Sequence, residues 1–169
     1  MTNYLVNLAI SARPQQWLKN LALFAGAFFA GTLFDPGVLP RIGEAFIAFS
    51  LLSSAAYLLN DITDREKDRQ HPLKKKRPIA SGALPIPIAG AMTLILGLGS
   101  LTYIYLNFNP YFFIAALAFA LLQLSYSFWV RNVIILDALW VAAAFVLRVY
   151  ARAFIFPLPI SSWLILSVI

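Results

Sequence analysis

The stretch AFIAFSLLSSAAYLLNDITDREKD, residues 45–68, decides how the rest of the chain is read. Its first part, Ala45 to Leu59, carries no charge and is mostly apolar. Its second part opens on Asn60 and Asp61 and sets further carboxylates at Asp64, Glu66 and Asp68. An apolar run that passes directly into acidic residues describes a helix leaving a bilayer, since charged side chains are costly in hydrocarbon and gather where water begins. If that helix continues past Leu59, Asp61, Asp64 and Asp68 fall at i, i+3 and i+7 on one of its faces. At 1.5 Å per residue they cover roughly 10 Å of its axis.

The surrounding composition agrees. Of 169 residues 61% are hydrophobic and 12% charged, with a mean hydropathy of +0.78. A soluble domain carries roughly 25% charged residues. There is no cysteine and only one histidine, His71, which removes disulfides and thiolate- or histidine-rich metal sites. The net charge of +6 comes from basic residues set between apolar spans, where they fix topology or meet phosphates and anionic head groups. No nucleic-acid module is expected.

A spanning helix needs about 20 mainly apolar residues. Spans are expected at about Trp17–Phe34, Ala45–Leu59, Leu84–Leu106, Tyr111–Val130 and Val133–Phe156, and a sixth begins near Ile160. Asp35-Pro36-Gly37, Asn107-Phe108-Asn109-Pro110 and Pro157-Leu158-Pro159 punctuate them as turns. Small residues such as Gly26, Gly31, Gly90, Gly97 and Gly99 allow helices to approach closely. The fold class is therefore all-α, a polytopic transmembrane helical bundle with five complete spans and the start of a sixth. Because the sequence stops at Ile169 inside an apolar run, residues 1–169 are expected to be the N-terminal part of a single transmembrane domain whose C-terminal helices are absent, and to be inactive alone.

The only long polar segment, Asn60–Gly82, holds 7 of the 13 basic and 4 of the 7 acidic residues. Placing it in the cytoplasm puts Arg13, Lys19 and Arg131 on the same side, leaves only Arg41 opposite, and sets the N-terminus inside.

Aspartates spaced along one helix face suit magnesium, which takes oxygen ligands, keeps several waters, and binds through one or two carboxylates plus substrate phosphates. They would serve one ion, or two bridged by a diphosphate. As a merely solvated surface the pattern is poor: Asp61–Asp64 and Asp64–Asp68 are like-charge neighbours, each costing about 0.2–0.5 kcal/mol without a cation, although Asp61 and Arg65 could pair at i, i+4. The basic run Lys74-Lys75-Lys76-Arg77 follows, and Lys74 and Arg77 are the expected phosphate ligands. His71 is expected to be only a polar loop residue. Arg148, in mid-span, is a functional candidate or half of a structural ion pair, and Asp137 is read as a helix-capping carboxylate.

Asn60-Asp61-x-x-Asp64-x-x-x-Asp68, followed by a basic loop and Arg77-Pro78-Ile79-Ala80-Ser81-Gly82, resembles the first aspartate-rich motif of the UbiA prenyltransferase superfamily. Arg13-Pro14-Gln15-Gln16-Trp17-Leu18-Lys19-Asn20 and His71-Pro72-x-Lys74-x-x-Arg77-Pro78 resemble its decaprenyl-phosphate phosphoribosyltransferase branch, as do Phe145-Val146-Leu147-Arg148 and Ile160-Ser161-Ser162-Trp163-Leu164. Arg152 departs from the branch, which tends to have glycine there. The family also has further helices and a second polar, catalytic motif that this sequence does not contain.

The resemblance implies a magnesium-dependent transferase in a bacterial-type inner membrane. It would move 5-phosphoribose from phosphoribosyl pyrophosphate, a diphosphate-bearing donor, to a polyprenyl phosphate. Asp61, Asp64 and Asp68 would hold Mg2+ and stabilise the leaving diphosphate, and Asn60 would orient a carboxylate or touch the donor. Lys19, Lys74, Arg77, Arg131 and Arg148 would meet phosphate groups; Tyr126 and Arg131 resemble a family element at the inner end of the fourth helix. Two rivals are an aromatic prenyltransferase, which would ionise an allylic diphosphate with the same aspartates, and a non-catalytic transporter. A transporter would place its site near the midplane on broken helices, often with repeats. The oligomeric state is left open.

Overall fold

The computed structural model describes residues 3–128, 139–140 and 142–148. Arg131, Asp137, Arg152 and the sixth span from Ile160 lie outside the described residues. Within them all regular structure is helical, and three helices are long and apolar enough to cross a membrane. These are α3 (Val38–Thr63), α6 (Ile86–Asn107) and α7 (Pro110–Phe128). Shorter helices α1 (Tyr4–Ala12) and α2 (Ala22–Phe29) precede them, and α4 (Arg65–Gln70) and α5 (Pro78–Ser81) lie between α3 and α6. Residues 139–140 and 142–148 are also helical.

The central element is α3. Helix α6 packs along it and α7 lies against both. Phe49 of α3 sits against Phe112 and Phe119 of α7, with ring centroids 5.5 and 5.4 Å apart, in a core completed by Leu23, Ile42, Leu52 and Ile104. Of the small residues, Gly97 marks real proximity, since a Cβ there would lie 3.6 Å from the Ala55 Cβ. Gly31 instead closes a turn after α2 with φ +70°, a backbone that only glycine adopts without strain. The outer faces of α6 and α7 leave Leu94, Ile95, Leu98, Tyr105, Tyr111 and Leu121 exposed, as lipid-facing helices do.

Arg41 closes one end of this bundle. It pairs with Glu44 at 2.8 Å, donates to the carbonyl of Asn107 and lies 4.0 Å from the ring centre of Phe108. Asp61 stands about 20 residues further along α3, roughly 30 Å at 1.5 Å per residue, which is the thickness of bilayer hydrocarbon. The charges therefore mark the two ends of one span. That span is longer than the apolar run Ala45–Leu59, because Gly37 (φ +81°) caps it earlier and the polar residues continue it to Thr63.

The expected first span, Trp17–Phe34, is not one helix. Arg13 adopts a left-handed conformation (φ 51°) that ends α1, Pro14 starts a 3-10 segment over Pro14–Leu21, and α2 follows only to Phe29. A 3-10 run of this length is uncommon. Its register against α3 explains it. Trp17 Nε1 donates to Ser54 Oγ at 2.9 Å, and Asn20 Nδ2 donates to Ser50 Oγ at 3.0 Å. Three residues of 3-10 helix rise about 6 Å, as do four residues of α-helix, so positions 17 and 20 meet positions 54 and 50 in step.

Asn20 is fully buried and also accepts from Arg148 Nε at 2.7 Å. One side chain thus links the 3-10 segment, α3 and helical residues 142–148. Asn20→Ala is expected to lower stability by about 2–3 kcal/mol, since it strips a hydrogen bond from a buried charge. Thermal unfolding in detergent measures this, and a melting temperature equal to wild type would show that Asn20 is no such link.

Candidate functional site

The inner end of α3 delivers Asn60 and Asp61. Asp64 forms the junction with α4: its N–H donates to the Asn60 carbonyl at 2.9 Å and its own carbonyl accepts from Asp68 N–H at 2.8 Å. The helical path is therefore nearly continuous through Asp64. Asp61 and Asp68, two turns apart, come to the same side, as their spacing predicts, while Asp64 is only half-buried.

Both outer aspartates are sealed from solvent, Asp61 at 2% exposure and Asp68 at 3%. Arg77 Nη1 lies 3.2 Å from Asp61 Oδ1 and 2.7 Å from Asp68 Oδ2, so one nitrogen touches both carboxylates. Arg13 forms a second ion pair with Asp61 Oδ1 and lies 5.2 Å from the Tyr57 ring centre. Two buried carboxylates and two guanidiniums form a compact neutral set. Charges taken out of water require such pairing.

Arg77 is placed by the residues after it. Pro78 restricts it to an extended backbone (φ −61°, ψ 142°) and opens α5, and Ile79, with no exposed surface, packs with Leu58, Leu84 and Ala89. Arg69 Nε holds the Ala80 carbonyl at 3.0 Å, and Asn7 Nδ2 of α1 holds the Ala83 carbonyl at 3.1 Å. The chain just after Arg77 is thus fastened to both α4 and α1.

Beside the carboxylates lies a cleft lined by Lys19, Tyr57, Asn60, Gln123, Tyr126 and Arg148, among others. Arg148 is 4% exposed, bonded to Asn20, and stacked 4.6 Å from the ring centre of Phe119. Lys19 and Arg148 give the cleft two basic side chains suited to an anionic group.

The expected residues divide clearly. Asp61, Asp68 and Arg77 meet directly, and Lys19, Asn60 and Arg148 share the adjoining cleft. Lys74 stays exposed on the 3-10 turn Lys74–Lys76, and Arg131 lies outside the described residues. His71 has a structural use, its Nδ1 accepting from the N–H groups of Leu73 and Lys74 at 3.2 and 3.3 Å. Arg13 and Asn20 stand in the motif string of residues 13–20, but their partners are distant in sequence; Tyr57 and Gln123 carry no local signal of a role.

Among the described residues no three acidic or imidazole side chains gather as a ready-made metal cage. The donor set nevertheless fits magnesium. Two carboxylates converge on one point, Asn60 Oδ1 is buried without a hydrogen bond, and every candidate ligand is a hard oxygen.

The model of the UbiA prenyltransferase family matches residues 20–169. The chain is 33% identical over 168 residues to a decaprenyl-phosphate phosphoribosyltransferase of Mycobacterium tuberculosis, covering 97% of this chain and 55% of that protein. It is 34% identical to a protein of the same name from Mycolicibacterium smegmatis, covering 97% and 52%. The chain therefore spans about half the length of the curated relatives it matches. A solved UbiA homologue from Archaeoglobus fulgidus, bound to DMAPP and Mg2+, shares the fold with a TM-score of 0.80 at 22% identity, over 96% of this chain and 58% of that one.

A double-mutant cycle tests the central ion pair. Arg13→Gln and Asp61→Asn are each expected to destabilise, while the double variant recovers about 1–3 kcal/mol relative to their sum. Additivity within about 0.5 kcal/mol in chemical unfolding would show that the two residues are not coupled.

Proposed function

Since the chain belongs to the UbiA prenyltransferase family, we propose that the protein is a membrane transferase that moves 5-phosphoribose from phosphoribosyl pyrophosphate to a polyprenyl phosphate. The observation that carries this reading is the pair of buried carboxylates, Asp61 and Asp68, aimed at one cation position beside a separate cationic cleft. On this reading a diphosphate would meet the carboxylates through the cation and a second phosphate would take the recess. The names of the mycobacterial relatives support the choice of donor and acceptor. The archaeal homologue of this fold carries Mg2+ together with DMAPP, itself a diphosphate, which supports the pairing of metal and diphosphate.

Asp61 and Asp68, with Asp64 and Asn60 at their side, would hold Mg2+. Bound there, the ion supplies positive charge to the pyrophosphate as it leaves ribose C1. The chain's own residues do the rest. Arg77 meets phosphate oxygens of the donor through its fork of donors. Lys19 and Arg148 hold the acceptor's phosphate so that one of its oxygens faces C1. That oxygen forms the new bond as the bond from C1 to pyrophosphate breaks. The acceptor phosphate is already anionic at neutral pH, so no general base and no covalent enzyme intermediate are needed. The polyprenyl tail stays in lipid, and the N-terminus and residues 60–82 face the cytoplasm of a bacterial-type inner membrane.

Membranes containing the full-length protein, incubated with labelled phosphoribosyl pyrophosphate and polyprenyl phosphate, are expected to yield labelled lipid and to lose that yield in chelator. Asp61→Asn is expected to lower the rate by at least about 100-fold, the scale for removing an electrostatic contact to a transition state, with normal membrane insertion. Prenylation of an aromatic acid from an allylic diphosphate, without labelled lipid, would replace this reading with aromatic prenyl transfer.

A further inference from the structure

We propose that Arg77 is an exchangeable counter-ion, holding the place of the divalent cation between Asp61 and Asp68 and leaving it for the diphosphate when metal and donor arrive together. The inference rests on the reading that this site takes magnesium and a diphosphate.

The geometry singles out one atom. Nη1 of Arg77 lies 3.2 Å from Asp61 Oδ1 and 2.7 Å from Asp68 Oδ2, and both carboxylates are almost wholly buried. A divalent ion held by both carboxylates would need the position that this nitrogen fills. Two cations cannot share it, so guanidinium and metal compete for the same ligands.

Charge decides what happens next. Asp61, Asp68, Arg13 and Arg77 sum to zero, and Asp64 beside them brings the set to −1. A divalent ion entering alone would still leave an excess positive charge in surroundings that screen it poorly. A diphosphate removes that excess and also gives the displaced guanidinium an anionic partner with matching fork geometry. Metal and diphosphate should therefore bind cooperatively, each raising the affinity of the other by the same factor.

Arg77 is built for such a move and Arg13 is not. The Arg77 side chain is 29% exposed and follows an exposed turn, while its backbone is fixed by Pro78 and the buried Ile79. The head can swing while the root stays in place. Arg13 is nearly as exposed, at 26%, but among the described carboxylates it pairs only with Asp61 and its guanidinium lies against the Tyr57 ring, so it remains as the standing counter-charge.

The test reads Mn2+ binding to the purified full-length protein in detergent by electron paramagnetic resonance, with and without inorganic pyrophosphate. Wild type is expected to bind Mn2+ weakly alone and at least tenfold more tightly in the ternary complex. Arg77→Gln should bind Mn2+ alone at least tenfold more tightly than wild type, with the effect of pyrophosphate much reduced. Arg77→Lys, which keeps the competing charge, should stay near wild type.

A second measurement needs no variant. Phenylglyoxal labelling of Arg77, read by peptide mass spectrometry, should rise several-fold with Mn2+ alone and fall again when pyrophosphate is added. Mn2+ affinity equal in wild type and Arg77→Gln, or labelling of Arg77 that ignores Mn2+, would overturn the exchange while leaving the metal site intact. Wild type that binds no Mn2+ under either condition would overturn the metal–diphosphate reading itself.

Discussion

A carboxylate that is 2% exposed at the end of a membrane-spanning helix cannot remain ionised without close cations. Much of the architecture around Asp61 follows from that constraint. Arg13 reaches it from the N-terminal segment, and the left-handed backbone at Arg13 is also what ends α1. Arg77 reaches it from the far side, and the buried anchor Pro78–Ile79 fixes where the loop returns. The two arginines therefore fasten the flanking segments to the inner end of α3 as they neutralise its charge. The same pairing brings Asp68 in, because one guanidinium nitrogen serves both carboxylates.

The lipid environment explains the second polar system. Polar groups inside a helical bundle have little water to turn to, so most bond within their own helix or to a neighbouring element. Ser50, Ser53 and Ser54 form a polar stripe on α3, and Trp17 and Asn20 meet it from the 3-10 segment. Arg148 then uses the remaining acceptor of Asn20. Arg148 is thus held by an amide, a main-chain carbonyl and an aromatic face, with no carboxylate partner among the described residues. Arg148 and Lys19 are the two basic groups that line the adjoining cleft.

The two systems meet at Asn60 and Tyr57, which belong to the turn of α3 that carries Asp61 and also line the cleft. One helix end therefore presents carboxylates to one side and a positive recess to the other. Under the proposed function, that arrangement gives the diphosphate and the second phosphate separate places.

The membrane class, the three long spans and the acidic-to-basic segment between α3 and α6 are legible in the sequence, since each depends on local composition and period. The shared side of Asp61 and Asp68 is legible for the same reason, because i and i+7 stay in phase even across the junction at Asp64. The first span is not legible. Residues 17–34 have the composition of a single helix, yet they are divided because 3-10 geometry matches the rise of the serine stripe on a different helix. Which cation meets which anion is not legible either: Arg13 and Asp61 are 48 positions apart, and Asn20 and Arg148 are 128 apart. Sequence alone determined that carboxylates and cations collect where a helix leaves the lipid. Tertiary structure alone decided their partners, because a long-range ion pair depends on how separate elements pack together, which no local period encodes.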